Sequence, residues 1–195
     1  KGKYKTIPCP LDDDTFYPKR KPRNNITIGF VGTMLPWKGP QIAMDIFKQI
    51  EKEHNGVEFV FVGRGPMKKN LQRIGGKKFR FYSDITPEIL ASIYNSTDIL
   101  VIPTRYESFG YVIAEALMCG TPVVSTKVGA VPETLGPGGT IVEYGDWEAM
   151  KKAVVNLIED EKTRKKLSRA GLKHSENYKK EKVVMEIYKS YRKYS

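Results

Sequence analysis

Hydrophobic residues along the chain fall into two alternating patterns. Six short apolar runs, rich in β-branched residues, are typical of buried parallel strands; they lie at 26–31, 57–62, 78–82, 98–102, 121–125 and 140–142. Between these runs, apolar residues recur at helical spacing, which predicts amphipathic helices. The repeated order of strand and helix predicts an α/β fold, in which a Rossmann-like parallel sheet is covered by helices on both faces.

Helix starts are marked by their residue types. Gly39-Pro40 places proline in a first helical turn, and Thr86-Pro87-Glu88 supplies an N-cap, a first-turn proline and an early acid. Further helices are predicted near 131–135, from the periodicity after Trp147, and from that between Val183 and Tyr191. With 195 residues, 40% of them hydrophobic, the chain can bury the core of one domain.

The amino-acid composition limits where the protein is expected in the cell and which kinds of site its cysteines and histidines can form. No apolar run reaches the roughly 20 residues that a membrane-spanning helix needs, and the basic start lacks the apolar stretch of a signal peptide, so a cytoplasmic protein is expected. Cys9 and Cys119 have no metal-ligand spacing, which favours neither a disulfide scaffold nor a zinc site. His54 and His174 fall on polar helix faces and are assigned no role.

The formal net charge is +11, and residues 161–195 contribute heavily to it. Such a basic face can attract an anionic membrane, nucleic acid or a phosphorylated substrate. Interspersed acids and the lack of an aromatic-lined nucleic-acid motif favour a solvated helix surface instead. No nucleic-acid partner is expected, whereas a peripheral contact with an anionic membrane stays open.

Residues 103–126 carry the most specific pattern. Glu107 lies before a predicted helix start at Phe109-Gly110, and Glu115 lies about two turns into that helix. A helix N-terminus offers free amide donors and positive dipole charge to a phosphate, while the two acids can accept hydrogen bonds from hydroxyls. A ligand with both hydroxyls and phosphates, such as a nucleotide sugar, matches this arrangement.

The same segment closely resembles the Glu-x7-Glu signature of family-four retaining glycosyltransferases with the GT-B fold. The matching residues are Glu107-Ser108-Phe109-Gly110, Glu115-Ala116 and Gly120-Thr121-Pro122-Val123-Val124. The opening residues, with Phe16-Tyr17-Pro18, resemble the stretch after the interdomain linker of these enzymes. The resemblance implies that residues 1–24 are the linker and the start of the domain, that 25–195 bind the nucleotide-sugar donor, and that the N-terminal acceptor domain is absent.

The resemblance also implies roles for the motif residues. Glu107 would contact sugar hydroxyls at the reacting centre, and Glu115 would bind the ribose. An ionised carboxylate only accepts hydrogen bonds, so Glu115 can accept one from each of the two ribose hydroxyls. The phosphate site would be formed around Ser108 by the backbone amides of Phe109, Gly110 and Tyr111. In the stretch 82–86, main-chain groups near Ile85 would meet the nucleobase.

A second resemblance lies in the loop 32–39. Family-four enzymes carry a Gly-Arg-x(n)-Lys-Gly loop whose two cations neutralise the donor diphosphate. Gly32 and Lys38 match it, but Thr33 stands where the arginine is expected, which removes a bidentate donor. Arg64, in a glycine-rich loop at the same predicted sheet edge, is a candidate substitute.

The resulting hypothesis is a retaining glycosyltransferase domain that needs neither metal nor cofactor. Amides, a helix dipole and Lys38 would stabilise the departing diphosphate, and the Asp12-Asp13-Asp14 run is read as a solvated turn. Three alternatives stay open: a catalytically silent nucleotide-sugar-binding domain, a GT-B relative such as a nucleotide-sugar epimerase, and a basic interaction domain for membrane or nucleic acid.

Overall fold

The computed structural model describes residues 6–19 and 24–192. Its strands are β1 (Ile26–Val31), β2 (Val57–Val62), β3 (Phe79–Tyr82), β4 (Ile99–Ile102), β5 (Val123–Thr126) and β6 (Gly139–Val142). All pair in parallel, in the order β3-β2-β1-β4-β5-β6. The Rossmann-like α/β sheet predicted from the sequence is confirmed.

Three strands, β3, β4 and β5, begin later than their apolar runs, and at the start of the runs of β4 and β5 a side chain bonds to the backbone. The hydroxyl of Thr121 donates to the carbonyl of Tyr94 at 2.8 Å, two residues before β5 begins. The carboxylate of Asp98 accepts a hydrogen bond from the amide of Thr27 at 2.9 Å, and β4 begins at the next residue. These bonds fix the start of each strand against its neighbours.

The helices lie between and after the strands. They are α1 (Pro40–Glu53), α2 (Lys68–Ile74), α3 (Pro87–Asn95), α4 (Tyr111–Met118), α5 (Val131–Leu135), α6 (Trp147–Glu159), α7 (Glu161–Ser175) and α8 (Lys180–Arg192). The apolar periodicity did not predict α7, because that helix is mostly charged. Its start is fixed by Asp160, whose carboxylate caps the amide of Thr163 at 3.0 Å.

The core lies on both faces of the sheet, as alternation along each strand requires. On one face, Phe59 stacks between Phe47 of α1 and Phe79 of β3, with ring centroids 5.1 and 4.6 Å away. On the other face, α3, α4 and α5 cover Val60, Leu100 and other strand residues. The sheet is therefore covered by helices on both sides, and the second face carries the helix of the Glu-x7-Glu segment.

The described part of the N-terminal segment, residues 6–19, packs beside the start of α8. The amide of Leu11 donates to the carbonyl of Tyr178 at 2.8 Å, and Phe16 is buried in the core. Residues 12–15 form a turn in which Asp14 is exposed and the other three are half-buried, and Lys180 pairs with Asp12 and Asp14. The predicted turn is confirmed; residues 1–5 and 20–23 of the predicted linker, and 193–195 of the basic tail, lie outside the described residues.

Candidate functional site

The site predicted from the sequence lies where the strand order reverses, between β1 and β4. In an open parallel sheet this switch point opens a crevice beyond the carboxyl ends of the strands. The loop after β1 covers 32–39 and the loop after β4 covers 103–110. Both loops, predicted to meet from their place in the chain, are in contact here.

The contact between the two loops depends on Gly39. Its φ of 74° is left-handed, and a Cβ at this position would lie 2.3 Å from the carbonyl oxygen of Pro103. Beside it, the amide of Arg105 donates to the carbonyl of Trp37 at 2.7 Å. Any other residue at 39 would combine strain with a clash, so glycine is required to bring the loops together.

The two predicted reacting-centre residues form an ion pair across the switch point. Lys38 Nζ lies 2.8 Å from Glu107 Oε2, with side chains 27% and 16% exposed. Lys38 ends a 3-10 turn at Pro36–Lys38, which directs it over the loop that carries Glu107. An ammonium and a carboxylate are thus held together at the edge of the sheet, where the sequence predicted a diphosphate and a sugar.

The backbone of Glu107 is fixed from the other side by the loop after β5. Gly129 has a left-handed φ of 47°, and a Cβ there would lie 1.9 Å from the carbonyl oxygen of Glu107. That oxygen accepts a hydrogen bond from the amide of Ala130 at 3.1 Å. Three loops, after β1, β4 and β5, therefore form one connected surface.

The N-terminus of α4 lies next to Glu107 in the chain. Gly110 is the N-cap, with a left-handed φ of 92°, and the first hydrogen bonds within the helix run from Ile113 and Ala114 to its carbonyl. The amides of Tyr111 and Val112 are therefore first-turn donors of the kind that bind phosphate. The sequence predicted the helix start at Phe109-Gly110, and the helix itself begins one residue later, at Tyr111.

Phe109 and Ser108 have different environments. The Phe109 carbonyl accepts a hydrogen bond from the Thr134 hydroxyl, and its ring packs edge-on against Tyr111 and Tyr178, with centroids 4.9 and 5.7 Å away. Ser108 is exposed. The aromatic residue therefore anchors the loop to the core, whereas the serine is open to solvent.

Glu115 is half-buried, and its partner is a side chain of the core. The hydroxyl of Tyr94, a fully buried residue of α3, donates to Glu115 Oε2 at 2.9 Å. Burial raises the pKa of Glu115 to about 7, and the bond from Tyr94 offsets part of that rise. Burial and the nearby Glu115 raise the pKa of the Cys119 thiol to about 12.

The partner of Glu115 was missed by sequence reasoning, which placed Tyr94 only on an apolar helix face. The available signal was its hydroxyl, because a buried tyrosine normally finds a hydrogen-bond partner. Lys68 was missed as well: its ammonium contacts the Ser83 hydroxyl at 2.5 Å and joins α2 to the loop after β3. That loop holds Ile85, which is partly buried against the core.

The side chain of Arg64 does not lie where it would have to lie to replace the arginine that is missing at Thr33. The backbone of Arg64 lies close to the loop after β1, since its carbonyl accepts the amide of Met34 at 2.6 Å. Its guanidinium, however, pairs with Asp84, with Nε 2.7 Å from Oδ1 and both side chains mostly exposed. Thr33 and Gly32 begin the loop, and Thr33 is exposed. Arg64 is thus near the site but directed to the loop after β3.

Two grooves lie apart from this edge. One of about 540 Å³ separates residues 14–19 from α3, and one of about 530 Å³ lies between Phe16 and Leu172. Neither is lined by Lys38, Glu107 or Glu115. The predicted site therefore lies outside both grooves, at the edge of the sheet.

Fold and loop arrangement define the class of Rossmann-like α/β domains with a ligand crevice at the switch point. Residues 12–174 match the family of group 1 glycosyl transferases, and the chain belongs to that family. A curated relative, a D-inositol 3-phosphate glycosyltransferase of Corynebacterium efficiens, is 30% identical over 164 residues, covering 77% of this chain and 39% of the relative.

Solved structures show the same fold. Sucrose-phosphate synthase from Thermosynechococcus elongatus superposes with a TM-score of 0.86 at 25% identity, over 99% of this chain and 53% of that one. The C-terminal domain of a group 1 glycosyl transferase from Francisella tularensis gives 0.75 at 24% identity, over 87% and 99%. Anabaena HepE in complex with UDP gives 0.76 at 22%, over 87% and 49%.

These comparisons support a C-terminal GT-B domain. The chain spans less than half the length of the curated relatives that it matches, from 38% to 48%. Within the described residues, no helix has both the length and the apolar character that crossing a bilayer requires.

Proposed function

We propose that this chain is the donor-binding domain of a retaining glycosyltransferase, which transfers a sugar from a nucleotide sugar to an acceptor. The observation that carries the proposal is the Lys38–Glu107 ion pair at the switch point, directly before the N-terminus of α4. It places a cation, a hydroxyl acceptor and free first-turn amides within one crevice. The Anabaena relative's complex with UDP supports a uridine or similar nucleotide as the bound moiety.

In this proposal the donor separates the ion pair. The diphosphate takes the Lys38 ammonium and the first-turn amides at Tyr111, and the transferred sugar takes the Glu107 carboxylate. As the bond between sugar and phosphate breaks, negative charge grows on the diphosphate, and the ammonium and helix dipole stabilise it. The protein groups alone can meet that charge, so no metal or cofactor forms part of the proposal.

The remaining residues hold the nucleotide. Glu115 accepts hydrogen bonds from the ribose hydroxyls, and main-chain groups near Ile85 meet the base. The amides at Phe109 and Gly110, with the exposed Ser108, complete the phosphate side of the crevice. An N-terminal domain of the same protein would supply the acceptor, so the isolated chain is expected to bind nucleotide without transferring sugar.

Titration calorimetry tests the binding step. UDP, GDP and ADP, each compared with its nucleoside, should show at least one diphosphate that binds with modest affinity. Lys38→Ala should weaken binding of that diphosphate about ten- to hundredfold, because hydrogen bonds to charged groups are worth about 1.5–3 kcal/mol. It should leave binding of the nucleoside unaffected. The matched control is Lys151→Ala, which also removes a lysine from an ion pair. Lys151 Nζ lies 2.7 Å from Oε1 of Glu53, a residue of α1. Absence of binding up to millimolar nucleotide would refute the site.

A catalytically silent domain of the same fold is the second candidate. It is favoured by one observation: Thr33 is exposed where the family has arginine, and the Arg64 guanidinium is paired with Asp84. The test measures sugar transfer by the complete protein that the first proposal implies, in which an acceptor domain precedes this chain. Nucleotide binding without turnover in that complete protein would favour the silent domain.

We also propose that α7 contacts an anionic membrane from the cytoplasm. Its exposed residues include Lys162, Lys166, Arg169 and Lys173, whereas Lys165 is paired with Glu161 at 2.7 Å. Sedimentation with vesicles of neutral and of anionic lipid tests this. Equal recovery with both kinds of vesicle at low salt would refute it, since the attraction is electrostatic.

A further inference from the structure

Tyr94 is buried with its polar group directed at the second carboxylate of the motif. None of its surface is exposed, and its hydroxyl lies 2.9 Å from Glu115 Oε2. A bond from a neutral donor to a carboxylate is stronger than one between neutral groups, and the low dielectric of the interior strengthens it further. The bond engages one of the two carboxylate oxygens.

Tyr94 is itself held in place through its ring and through its backbone carbonyl. Its ring packs edge-on against Phe16, with centroids 6.1 Å apart, and its carbonyl accepts the Thr121 hydroxyl at 2.8 Å. Because that second bond joins α3 to the segment just before β5, the phenol has a fixed place in the core. The donor therefore fixes the position of the carboxylate, and the carboxylate does not fix the donor.

We propose that Tyr94 is the positioning residue of Glu115: its hydroxyl holds one carboxylate oxygen, presents the other to the ribose hydroxyls, and sets the pH range in which nucleotide binds. This inference rests on the proposed function, because it takes a nucleotide as the ligand. It adds that binding at neutral pH is linked to the release of a proton from Glu115.

The groups around Glu115 give the direction of the pH effect. Among the described residues, Tyr94 faces it from α3, and Cys119 and Tyr111 face it from its own helix. Tyr111 in turn bonds to the Cys9 sulfur, which raises the pKa of Tyr111. Burial raises the pKa of Glu115 to about 7 and the Tyr94 bond lowers it, so loss of that hydroxyl must raise it further.

The test compares Tyr94→Phe with Tyr178→Phe in the 195-residue chain. Tyr178 is also buried, but its hydroxyl donates to the Thr134 carbonyl at 3.0 Å, so it matches the substitution without touching Glu115. The first readout is the pH titration of the Glu115 side-chain carbon by NMR. The second is affinity for UDP, GDP or ADP between pH 6 and pH 9.

Tyr94→Phe should move the Glu115 midpoint upward by about one pH unit, because a hydrogen bond to the ionised form is lost. Nucleotide affinity should fall several-fold at pH 7 and recover only in part by pH 9, where Glu115 is again ionised but is no longer held by the phenol. Tyr178→Phe, which leaves the partner of Glu115 in place, should not move the Glu115 midpoint. An unmoved midpoint, or an affinity loss of the same size at pH 9, would overturn the inference.

Two further outcomes keep the inference separate from the proposed function. If the midpoint moves but wild-type protein binds none of the three nucleotides, the proposed function fails and the link between Tyr94 and Glu115 stands. If Tyr94→Phe does not fold, Y94F/E115Q removes the buried charge as well. Recovery of folding in this double variant supports Tyr94 as the partner of the charge, whereas continued unfolding overturns it.

Discussion

Replacing Glu115 with glutamine should stabilise the protein at pH 8 and weaken its site. Burial moves the pKa of this carboxyl from 4.5 to about 7, so the folded state binds its proton more tightly than the unfolded state. The free energy of unfolding must then fall as pH rises from about 4.5 to about 7, and stay level beyond. Each pH unit corresponds to about 1.4 kcal/mol, so the loss amounts to about 3 kcal/mol.

Glutamine has almost the same shape and keeps an oxygen for the Tyr94 hydroxyl, 2.9 Å from the present carboxylate. It carries no charge at any pH, so the loss between pH 4.5 and 7 should vanish. Glu115→Gln is therefore expected to match wild type near pH 4.5 and to exceed its stability by about 3 kcal/mol at pH 8.

Urea unfolding at pH 4.5, 6, 7 and 8, followed by circular dichroism, measures the difference. Glu148→Gln is the control, since it makes the same chemical change at an exposed position in the first turn of α6; its stability should run parallel to that of wild type. A Glu115→Gln curve that is also parallel to wild type would refute the argument, because it would mean that burial does not disfavour the ionised form.

Three further predictions concern the loops at the switch point. Glu107→Gln should raise diphosphate affinity a few-fold at low salt, as measured by calorimetry, because it releases Lys38 from a pair worth about 0.2–1 kcal/mol; a large loss would instead place Glu107 on the nucleotide. Thr33→Arg should strengthen diphosphate binding and steepen its loss with salt, whereas no gain, together with a large loss in Arg64→Ala, would show that Arg64 already acts there. Gly129→Ala should lower thermal stability and nucleotide affinity together, because its Cβ would lie 1.9 Å from the Glu107 carbonyl oxygen; unchanged melting would contradict the close contact.

The sequence was sufficient for those features that depend on regular patterns. Strand periodicity predicted the sheet, and the position of each glycine loop after a strand predicted that the loops of Lys38 and Glu107 would meet. The ion pair between these residues could not be predicted, because it depends on the 3-10 turn that ends at Lys38. The bond from Tyr94 to Glu115 joins two helices whose relative rotation only packing determines.

Charged segments were the least predictable. Helix α7 lacks the apolar stripe that reveals a buried face, and its start is set by the Asp160 cap. The direction of the Arg64 side chain could not be predicted either, because its partner Asp84 follows a different strand. Spacing along the chain indicates which loops meet, whereas the pairing of long side chains depends on the exact path of each loop.

The position of the site between β1 and β4 has a consequence for the order of folding. Ile28 of β1 pairs with Phe59 of β2 on one side, whereas its partner on the other side is Ile99 of β4, which comes much later in the sequence. Local pairs can form early, but contacts distant in sequence must first overcome the entropy of closing a long loop. The crevice therefore comes into existence only when the second half of the sheet docks on the first, and nucleotide binding during refolding would report completion of the domain.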